Sequence, residues 1–331
     1  MEPVWPSGDV AVAGSVHAAV RAIVRDALGK RVGDTLATNT EVRESLGVGM
    51  GTVQRALEVL AERDALHTIS RGHLGRRIEA VDIGQCWQAA GLPPIRILLS
   101  PPGSVEINSL ETTIGDEFGR LGVAYAVRHL AGGNQRLELL GRGEYDLTVV
   151  SAGTFDGVIG ADGSAAIVAR RLASGTYYDP QRLVVLGRTD AATPAHRVAI
   201  DTDSFDHQAL TLAQFPPEPG REYVEVPYPD VPAFVLAGVV DAGIWHVTTS
   251  AVPVELAGLT VAQFSGEEAI ATRDRLSGAA IAAWAGRPEL RAVLDALGLE
   301  GLDAARAAAM EQEAASARRL RLALGRGRPG P

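Results

Sequence analysis

Residues 47–57 read GVGMGTVQRAL, three glycines at alternate positions followed by a segment with helical character. Glycine is a poor helix former, so its repetition here indicates a tight turn or a surface that approaches the backbone closely. Upstream, Thr38-x-x-Glu41 has the pattern of a capping box, which predicts a short helix before the turn. Downstream, Val53 and Leu57 fall on one face of a second helix. Two helices joined by a tight turn predict a helix-turn-helix.

The flanking residues extend this prediction to a whole domain. Apolar residues at helical spacing predict a preceding helix over 15–28, and two apolar runs predict strands over 66–69 and 77–81. Helix, helix, tight turn, helix and β-ribbon is the order of a winged helix-turn-helix. We expect this DNA-binding domain over residues 10–82, followed by a linker over 83–94.

The turn, the second helix and the wing hold the candidate DNA contacts. The second helix of this fold enters the major groove, and small residues at its start let free N–H groups approach phosphate. Glutamine can pair with adenine, and arginine with guanine or phosphate. Taken singly, each side chain has an alternative as a solvated charge or a turn residue. The candidates are Thr38, Thr40, Gly49, Met50, Gly51, Thr52, Gln54 and Arg55, with Arg71, Gly72, His73 and Arg76 in the wing.

The rest of the chain alternates predicted strands and helices over 95–264, among them a strand over 95–99 and helices over 105–121 and 205–214, which indicates an α/β body. Two stretches echo each other, Gly143-Glu-Tyr-Asp146 and Gly238-Val-Val-Asp241, each after a helix and before a strand. Two α/β lobes would produce this echo, although Gly-x-x-Asp is also a common turn. We expect Ala- and Arg-rich helices over 265–324 and a disordered tail over 325–331.

Polar residues at the carboxyl ends of the predicted strands form a candidate sensor site. In open α/β sheets, ligands bind at that edge, and helix N-termini with hydroxyls suit a small polar or anionic effector. Two aromatic residues could stack on an apolar part of the ligand. The alternatives are ordinary helix caps and core packing. The candidates are Ser100, Ser104, Ser151, Thr154, Asp201, Ser204, Tyr228 and Trp245.

Composition narrows the function classes. Lys30 is the sole lysine and sits at a helix end, which argues against Schiff-base chemistry, and the seven histidines show no metal-binding spacing. No nucleophile elbow, P-loop, signal peptide or long apolar run is present, and Cys86 is the single cysteine. We therefore expect a cytoplasmic protein that is not an enzyme, with no cofactor, no metal and no membrane contact. Residues 15–79 carry ten basic and eight acidic groups in a chain of net charge −9.

Two groups of motifs resemble a known family. Residues 46–60, with the wing Arg71-Gly72-His73-Leu74-Gly75, resemble the GntR-type winged helix, and most closely the YhfZ group within it. Residues 136–146 and 230–245 are similar to that group's C-terminal domain, which is like a periplasmic binding protein. The common GntR pattern has arginine where this chain has Thr40, Met50 and Gln54, so its guanine-rich recognition is not carried over.

The resemblance implies an α/β multidomain fold, in which an N-terminal winged helix-turn-helix is joined to a bilobal type II periplasmic-binding-protein-like sensor domain. It implies a transcriptional regulator whose affinity for a double-stranded DNA operator changes when a small molecule binds between the lobes. A homodimer is expected, because one recognition helix makes too few contacts for specificity. The alternative is a cytosolic solute-binding or adaptor protein whose winged helix contacts proteins.

Overall fold

A computed structural model describes residues 7–72, 75–162, 166–188, 195–247 and 258–326. The helices are α1 (Ser7–Leu28), α2 (Asn39–Leu46), α3 (Met50–Glu62), α4 (Ile83–Ala89), α5 (Val105–Leu121), α6 (Gly133–Gly141), α7 (Ala152–Asp162), α8 (Phe205–Gln214), α9 (Val231–Leu236), α10 (Glu267–Leu276), α11 (Leu290–Ala296) and α12 (Leu302–Arg326). The strands are β1 (Leu66–Ser70), β2 (Arg76–Val81), β3 (Ile95–Leu99), β4 (Tyr125–His129), β5 (Leu147–Ser151), β6 (Ile167–Arg171), β7 (Leu183–Arg188), β8 (Arg197–Ile200), β9 (Glu222–Glu225), β10 (Ala242–His246), β11 (Leu259–Ala262) and β12 (Ala279–Trp284).

The strands form one hairpin and two five-stranded sheets within the described residues, so the chain is mixed α/β. The hairpin pairs β1 with β2 in antiparallel fashion. One sheet has the order β4-β3-β5-β12-β6 and the other β11-β7-β10-β8-β9. In the second sheet, β10 pairs in parallel with β8 and antiparallel with β7, which makes that sheet mixed.

The chain divides into two compact units. The first comprises residues up to Ile97, Gly115–Ala126 and Ala283–Gly298, and the second comprises Leu98–Ile114, Val127–Ala282 and the residues from Leu299 on. In the first unit, α1, α2, α3 and the hairpin enclose a core in which Leu28, Leu60 and Ile78 are fully buried. The predicted inward residue Val53 is buried there as well.

The segment 83–94, expected as a linker, is packed structure instead. It contains α4, in which Cys86 and Trp87 are buried, and the Asp82 carboxylate caps the helix by accepting from the Gln85 N–H at 2.8 Å. Gly84 allows a close approach, since a Cβ there would lie 2.3 Å from the Leu121 carbonyl oxygen. The linker prediction is wrong because Cys86 and Trp87 lie on a buried face of α4, so the segment packs as a helix.

The expectation of helices throughout 265–324 also needs correction. Helices α10, α11 and α12 are present, but β12 lies between β5 and β6 in a sheet. Its sequence AAIAAW is buried from Ala279 to Ala283. Alanine favours helix in isolation, whereas here its small side chains fit a central strand whose surroundings leave little room. The final residues 327–331 of the expected tail lie outside the described part of the chain.

The internal echo has a backbone counterpart in the second unit. Gly143 and Gly238 both have φ near +71°, a left-handed conformation that favours glycine. Gly143 follows α6 and precedes β5, and Gly238 follows α9 and precedes β10. Each glycine therefore ends a helix and redirects the chain into a strand of a different sheet.

Candidate functional site

A cavity of about 270 Å³ lies within the second unit, at the ends of strands and the beginnings of helices. Its volume is close to the lower limit for pockets that hold small organic ligands. Seven of the eight sequence candidates line it, namely Ser100, Ser104, Thr154, Asp201, Ser204, Tyr228 and Trp245. The eighth, Ser151, does not line it and instead accepts a hydrogen bond from the Thr154 N–H at 2.8 Å.

The serine hydroxyls at the helix starts have local partners. Ser104 Oγ accepts from the Ile107 N–H at 3.1 Å, before α5, and Ser204 Oγ accepts from the His207 N–H at 3.3 Å, before α8. Both serines are therefore helix caps that also face the cavity, as the alternative interpretation held. The start of α6 differs, because its N-cap residue is Gly132 and no side chain caps it.

Arg136, which the sequence analysis missed, brings a buried cation to the cavity wall. It lies on α6, is 2% exposed and lines the cavity. Its Nη1 donates to the Leu130 carbonyl at 2.7 Å and its Nη2 donates to Tyr177 Oη at 2.8 Å. Its Nε has no hydrogen-bond partner within the described residues. A buried donor without a partner carries a desolvation cost that a ligand acceptor would relieve.

Asp206 contributes a buried carboxyl near Arg136. Thr154 Oγ1 donates to Asp206 Oδ1 at 3.2 Å. Burial raises the pKa of this carboxyl to about 6, against the opposing effect of hydrogen bonds from Ser151 and Thr154 and of the Arg136 charge. Its proton therefore exchanges close to neutral pH.

Aromatic side chains form much of the remaining wall. Trp245 and Tyr228 stack on each other with ring centroids 4.9 Å apart, and both line the cavity in which they are predicted to contact a ligand. Tyr228 is held at both ends, because its N–H donates to Asp201 Oδ2 at 2.8 Å and its Oη accepts from the His246 N–H at 2.9 Å. Burial raises the pKa of the Tyr228 phenol above its ordinary value.

Two histidines at the cavity have contrasting surroundings. His207 Nδ1 accepts from the Asp201 N–H at 3.0 Å, and its Nε2 lies 3.2 Å from the Ile244 carbonyl oxygen, so both ring nitrogens are satisfied. His246 has no hydrogen-bond partner on either ring nitrogen within the described residues, although its Nε2 lies 3.5 Å from Glu106 Oε2. Burial lowers the pKa of His246 to about 4 and raises the pKa of Glu106, so both shifts favour the neutral forms.

In the first unit, the predicted turn and second helix have the expected exposure. Gly47 ends α2 in the left-handed conformation, and Gly49 precedes α3 without a side-chain cap. Met50 is 43% exposed, and Gly51 and Gln54 are exposed beside it. Thr52 is half-buried and Thr40 is exposed. These residues leave the start of α3 open to another molecule.

Several of the other DNA candidates have intramolecular partners. Thr38 takes part in the predicted capping box, with its Oγ1 accepting from the Glu41 N–H at 3.2 Å. Arg55 Nη1 lies 2.9 Å from a Glu62 oxygen and 3.2 Å from a Glu58 oxygen, so two carboxylates of α3 hold it.

The wing candidates lie at the end of the hairpin. Arg71 and Gly72 are exposed, and the Arg71 N–H donates to the Gly75 carbonyl at 2.8 Å. Arg76 Nη1 donates to Thr68 Oγ1 at 3.2 Å across the two strands. His73 lies outside the described residues.

The sequence model described as YhfZ C-terminal domain matches residues 82–313. The chain belongs to the YhfZ C-terminal domain family. This match begins after the hairpin and includes the whole cavity. The resemblance of the N-terminal residues to GntR-type winged helices lies outside the match.

Three proteins are similar to this chain. The chain is 25% identical over 228 residues to the protein YhfZ of Escherichia coli strain K12, covering 69% of this chain and 73% of that protein. The crystal structure of YhfZ from Shigella flexneri matches with a TM-score of 0.54 and 19% identity, covering 70% of this chain and 96% of that one, which shows a shared fold. The periplasmic aliphatic sulphonate binding protein SsuA from Escherichia coli matches with a TM-score of 0.48 and 19% identity, covering 70% and 74%.

The cavity residues Arg136, Asp206 and His246 were not among the candidates predicted from the sequence, because each lies in an ordinary local pattern. Arg136 lies mid-helix in the pattern Arg-Leu-Glu, which is typical of a solvated helix surface. His246 ends a strand that alternates little, and Asp206 follows a helix cap where an acidic residue is ordinary. One sequence signal did mark Arg136, because it lies in residues 136–146, which carry the resemblance to the family.

No group of three or more His, Cys, Asp and Glu residues suitable for a metal ion occurs in the described part of the chain. A separate search of the same residues found no helix with both the length and the hydropathy to cross a membrane.

Proposed function

We propose that this chain is a cytoplasmic DNA-binding transcriptional regulator, without catalytic activity, whose operator affinity changes when a small polar or anionic molecule occupies the cavity. The observation that carries the ligand-binding part is the cavity itself. It joins a buried cation with an unpartnered Nε to a wall of aromatic and aliphatic side chains, an arrangement typical of small-molecule sites.

The DNA-binding part rests on α1, α2, α3 and the β1–β2 hairpin, which belong to the first unit. Their order and the uncapped, exposed start of α3 fit a winged helix-turn-helix that presents α3 to the major groove. The proposed contacts are Thr40, Met50, Gly51, Thr52 and Gln54 for the groove, and Arg71, Gly72 and His73 for the phosphates. We leave out Arg55, because a phosphate would have to compete with Glu58 and Glu62 for its guanidinium.

The proposal also includes a homodimer. Two copies would place two α3 helices on half-sites about one helical turn of DNA apart. The ligand would alter DNA affinity only if it binds one arrangement of the protein more tightly than another. Sedimentation of the protein with and without DNA tests the dimer.

DNA binding is tested by fluorescence anisotropy with duplexes covering the region upstream of the chain's own gene. We expect one duplex to bind more tightly than a scrambled duplex of the same length. Gln54→Ala should reduce that preference by about 1–3 kcal/mol, because the amide reads a base. If no upstream duplex exceeds the scrambled one, the adaptor function, in which this domain contacts protein, becomes the better interpretation.

A matched pair of arginine variants tests which face meets the DNA. Arg71→Gln should weaken binding to every duplex alike and lower the slope of log affinity against log salt by about 1. Arg55→Gln removes the same charge from a position that is already ion-paired, so we expect an unchanged salt slope. Equal effects of the two substitutions would contradict the proposed orientation.

A further inference from the structure

The cavity wall leaves two places unsatisfied, and their chemistry differs. Each carboxylate oxygen of Asp201 has a backbone partner, since its Oδ1 accepts from the Asp203 N–H at 3.0 Å and its Oδ2 from the Tyr228 N–H. Both nitrogens of His207 are engaged by the backbone. Arg136 Nε and the ring nitrogens of His246 have no partner within the described residues. A ligand that fits the wall chemically would meet these two groups.

At the first place, the geometry of the guanidinium selects an anion. Nη1 and Nη2 of Arg136 each use a proton on Leu130 and Tyr177, which fixes the plane of the group. The Nε–H is the donor left without a partner, and it can donate to an oxygen of a ligand carboxylate. The uncapped start of α6 at Gly132, which also lines the cavity, adds a favourable dipole.

At the second place, a neutral imidazole selects a hydrogen-bond donor. A neutral imidazole carries one N–H and one acceptor nitrogen. Nε2 is the nitrogen beside Glu106 Oε2, at 3.5 Å. When Glu106 is a carboxylate, the form that the charges of Arg182 and Arg306 favour, the imidazole proton lies on Nε2 and Nδ1 is the acceptor. The Glu106 side chain is 1% exposed and does not line the cavity, so it would not meet a ligand directly.

Much of the wall is apolar, beside the hydroxyl and carboxyl groups described above. Ile107, Leu183, Leu210 and Ile244 line it together with the Tyr178 and Tyr228 rings. Such a surface favours a hydrocarbon or aromatic segment over a sugar or a nucleotide, whose hydroxyls would lose water without gaining partners.

We propose that the cavity takes a small organic monocarboxylate whose acid group binds Arg136, whose body is apolar, and whose far end carries a hydroxyl or amino donor for His246. This inference rests on the proposed ligand-binding function and deepens it. In this proposal Arg136 determines the affinity for the carboxylate, and His246 determines the preference for ligands that carry a second polar group.

The test uses full-length protein and three matched series of probes with about four to eight carbons, a range set by the cavity size. They are ω-hydroxy acids with 4-hydroxyphenylacetate, the corresponding acids without the hydroxyl, and the corresponding hydroxy primary amides. Isothermal titration calorimetry gives each affinity. We expect hydroxy acids of at least one length to bind, with the plain acid and the hydroxy amide of that length each weaker by about tenfold or more.

Variants separate the two ends. Arg136→Gln should weaken the hydroxy acid by about 10- to 100-fold and leave the amide unchanged. His246→Phe should equalise the hydroxy acid and the plain acid. Since Arg136 also makes two structural hydrogen bonds, Tyr177→Phe is the control that removes one of these bonds without touching the Nε edge. If Arg136→Gln does not fold, the comparison of acid with amide in the unsubstituted protein decides.

Three results would overturn the proposal: no acid of either series binds, the amides bind as tightly as the acids, or Arg136→Gln binds the acid like the unsubstituted protein. Operator binding is measured separately in the anisotropy assay. An acid that binds without changing DNA affinity leaves the ligand class standing and contradicts the regulator. Specific operator binding by a protein that binds none of the acids would contradict the ligand class and leave the DNA-binding function standing.

Discussion

Replacing His246 with glutamine should change how the stability of this protein depends on pH. Burial lowers the pKa of His246 from 6.5 to about 4, so the folded protein stays unprotonated where the unfolded chain takes up a proton. A group with a depressed folded pKa contributes stability that is complete above pH 6.5 and is lost as the pH falls towards 4. With these two pKa values, acidification from pH 8 to pH 5 costs the folded protein about 2 kcal/mol through this residue.

The substitution removes the titration, since glutamine has no proton to gain in this range. Lost packing lowers the free energy of unfolding at both pH values, whereas the titration acts at pH 5 alone. Urea unfolding followed by circular dichroism at pH 8 and pH 5 gives the four free energies. We expect the variant, relative to the unsubstituted protein, to be more stable at pH 5 than at pH 8 by about 2 kcal/mol.

The refuting result is a difference between variant and unsubstituted protein that is the same at both pH values. It would mean that His246 takes up a proton in the folded state as readily as in the unfolded chain, and that Glu106 forms an ion pair with it. The neutral imidazole on which the proposed ligand contact depends would then be absent. Burial also lowers the pKa of His207, so a residue that does not titrate is the control. Ile244→Val on β10 removes buried packing without removing a titrating group, and it should cost the same stability at both pH values.

Three further predictions concern stability. Burial raises the pKa of Asp206 from 3.8 to about 6, so the stability that its protonated form contributes is lost as the pH rises through 6. Asparagine does not titrate in this range. In the same urea assay, the free energy of unfolding of Asp206→Asn, relative to the unsubstituted protein, should therefore be higher at pH 8 than at pH 5 by about 1.5 kcal/mol. Gly84→Ala places a Cβ 2.3 Å from a backbone oxygen and should lower the thermal midpoint through a loss of about 1–3 kcal/mol, whereas Gly119→Ala on α5, with open space around it, should not lower it. Thr38→Ala removes the cap of α2 and should cost about 1 kcal/mol in urea unfolding, while Thr40→Ala, which removes no cap, should cost little.

The sequence predicted the elements whose apolar residues repeat at one regular period. Helices over 105–121 and 205–214 and the strand over 95–99 occupy the predicted residues, because each buries one continuous face. Helix α7 was missed, since its sequence AGTFDGVIGAD is rich in glycine. It forms because the glycines admit close neighbours: a Cβ at Gly153 would lie 2.0 Å from Leu276 Cδ2, and one at Gly157 2.2 Å from Phe205 Cε2. Tertiary packing overrides local propensity there.

The candidate site residues also fall into two groups, those bonded to neighbours in the sequence and those bonded to distant residues. A capping pattern can be recognised in the sequence because the two partners lie within three residues of each other. The hydroxyls in such a pattern are therefore already hydrogen-bonded, as Thr38 is to Glu41, Ser104 to Ile107 and Ser204 to His207. The same holds for Arg55, whose carboxylate partners lie within two turns of its own helix.

The groups left for a ligand or for DNA are those whose surroundings come from distant parts of the chain. Arg136 donates to Tyr177, 41 residues away, as well as to the nearby Leu130 carbonyl, and His246 lies 3.5 Å from Glu106, 140 residues earlier in the sequence. No local pattern marks such residues, so in this protein a strong local signature indicates a structural role. The same reasoning favours Gln54 over Arg55 as the base-reading side chain, because Gln54 is exposed on α3 and no capping or ion-pairing pattern accounts for it.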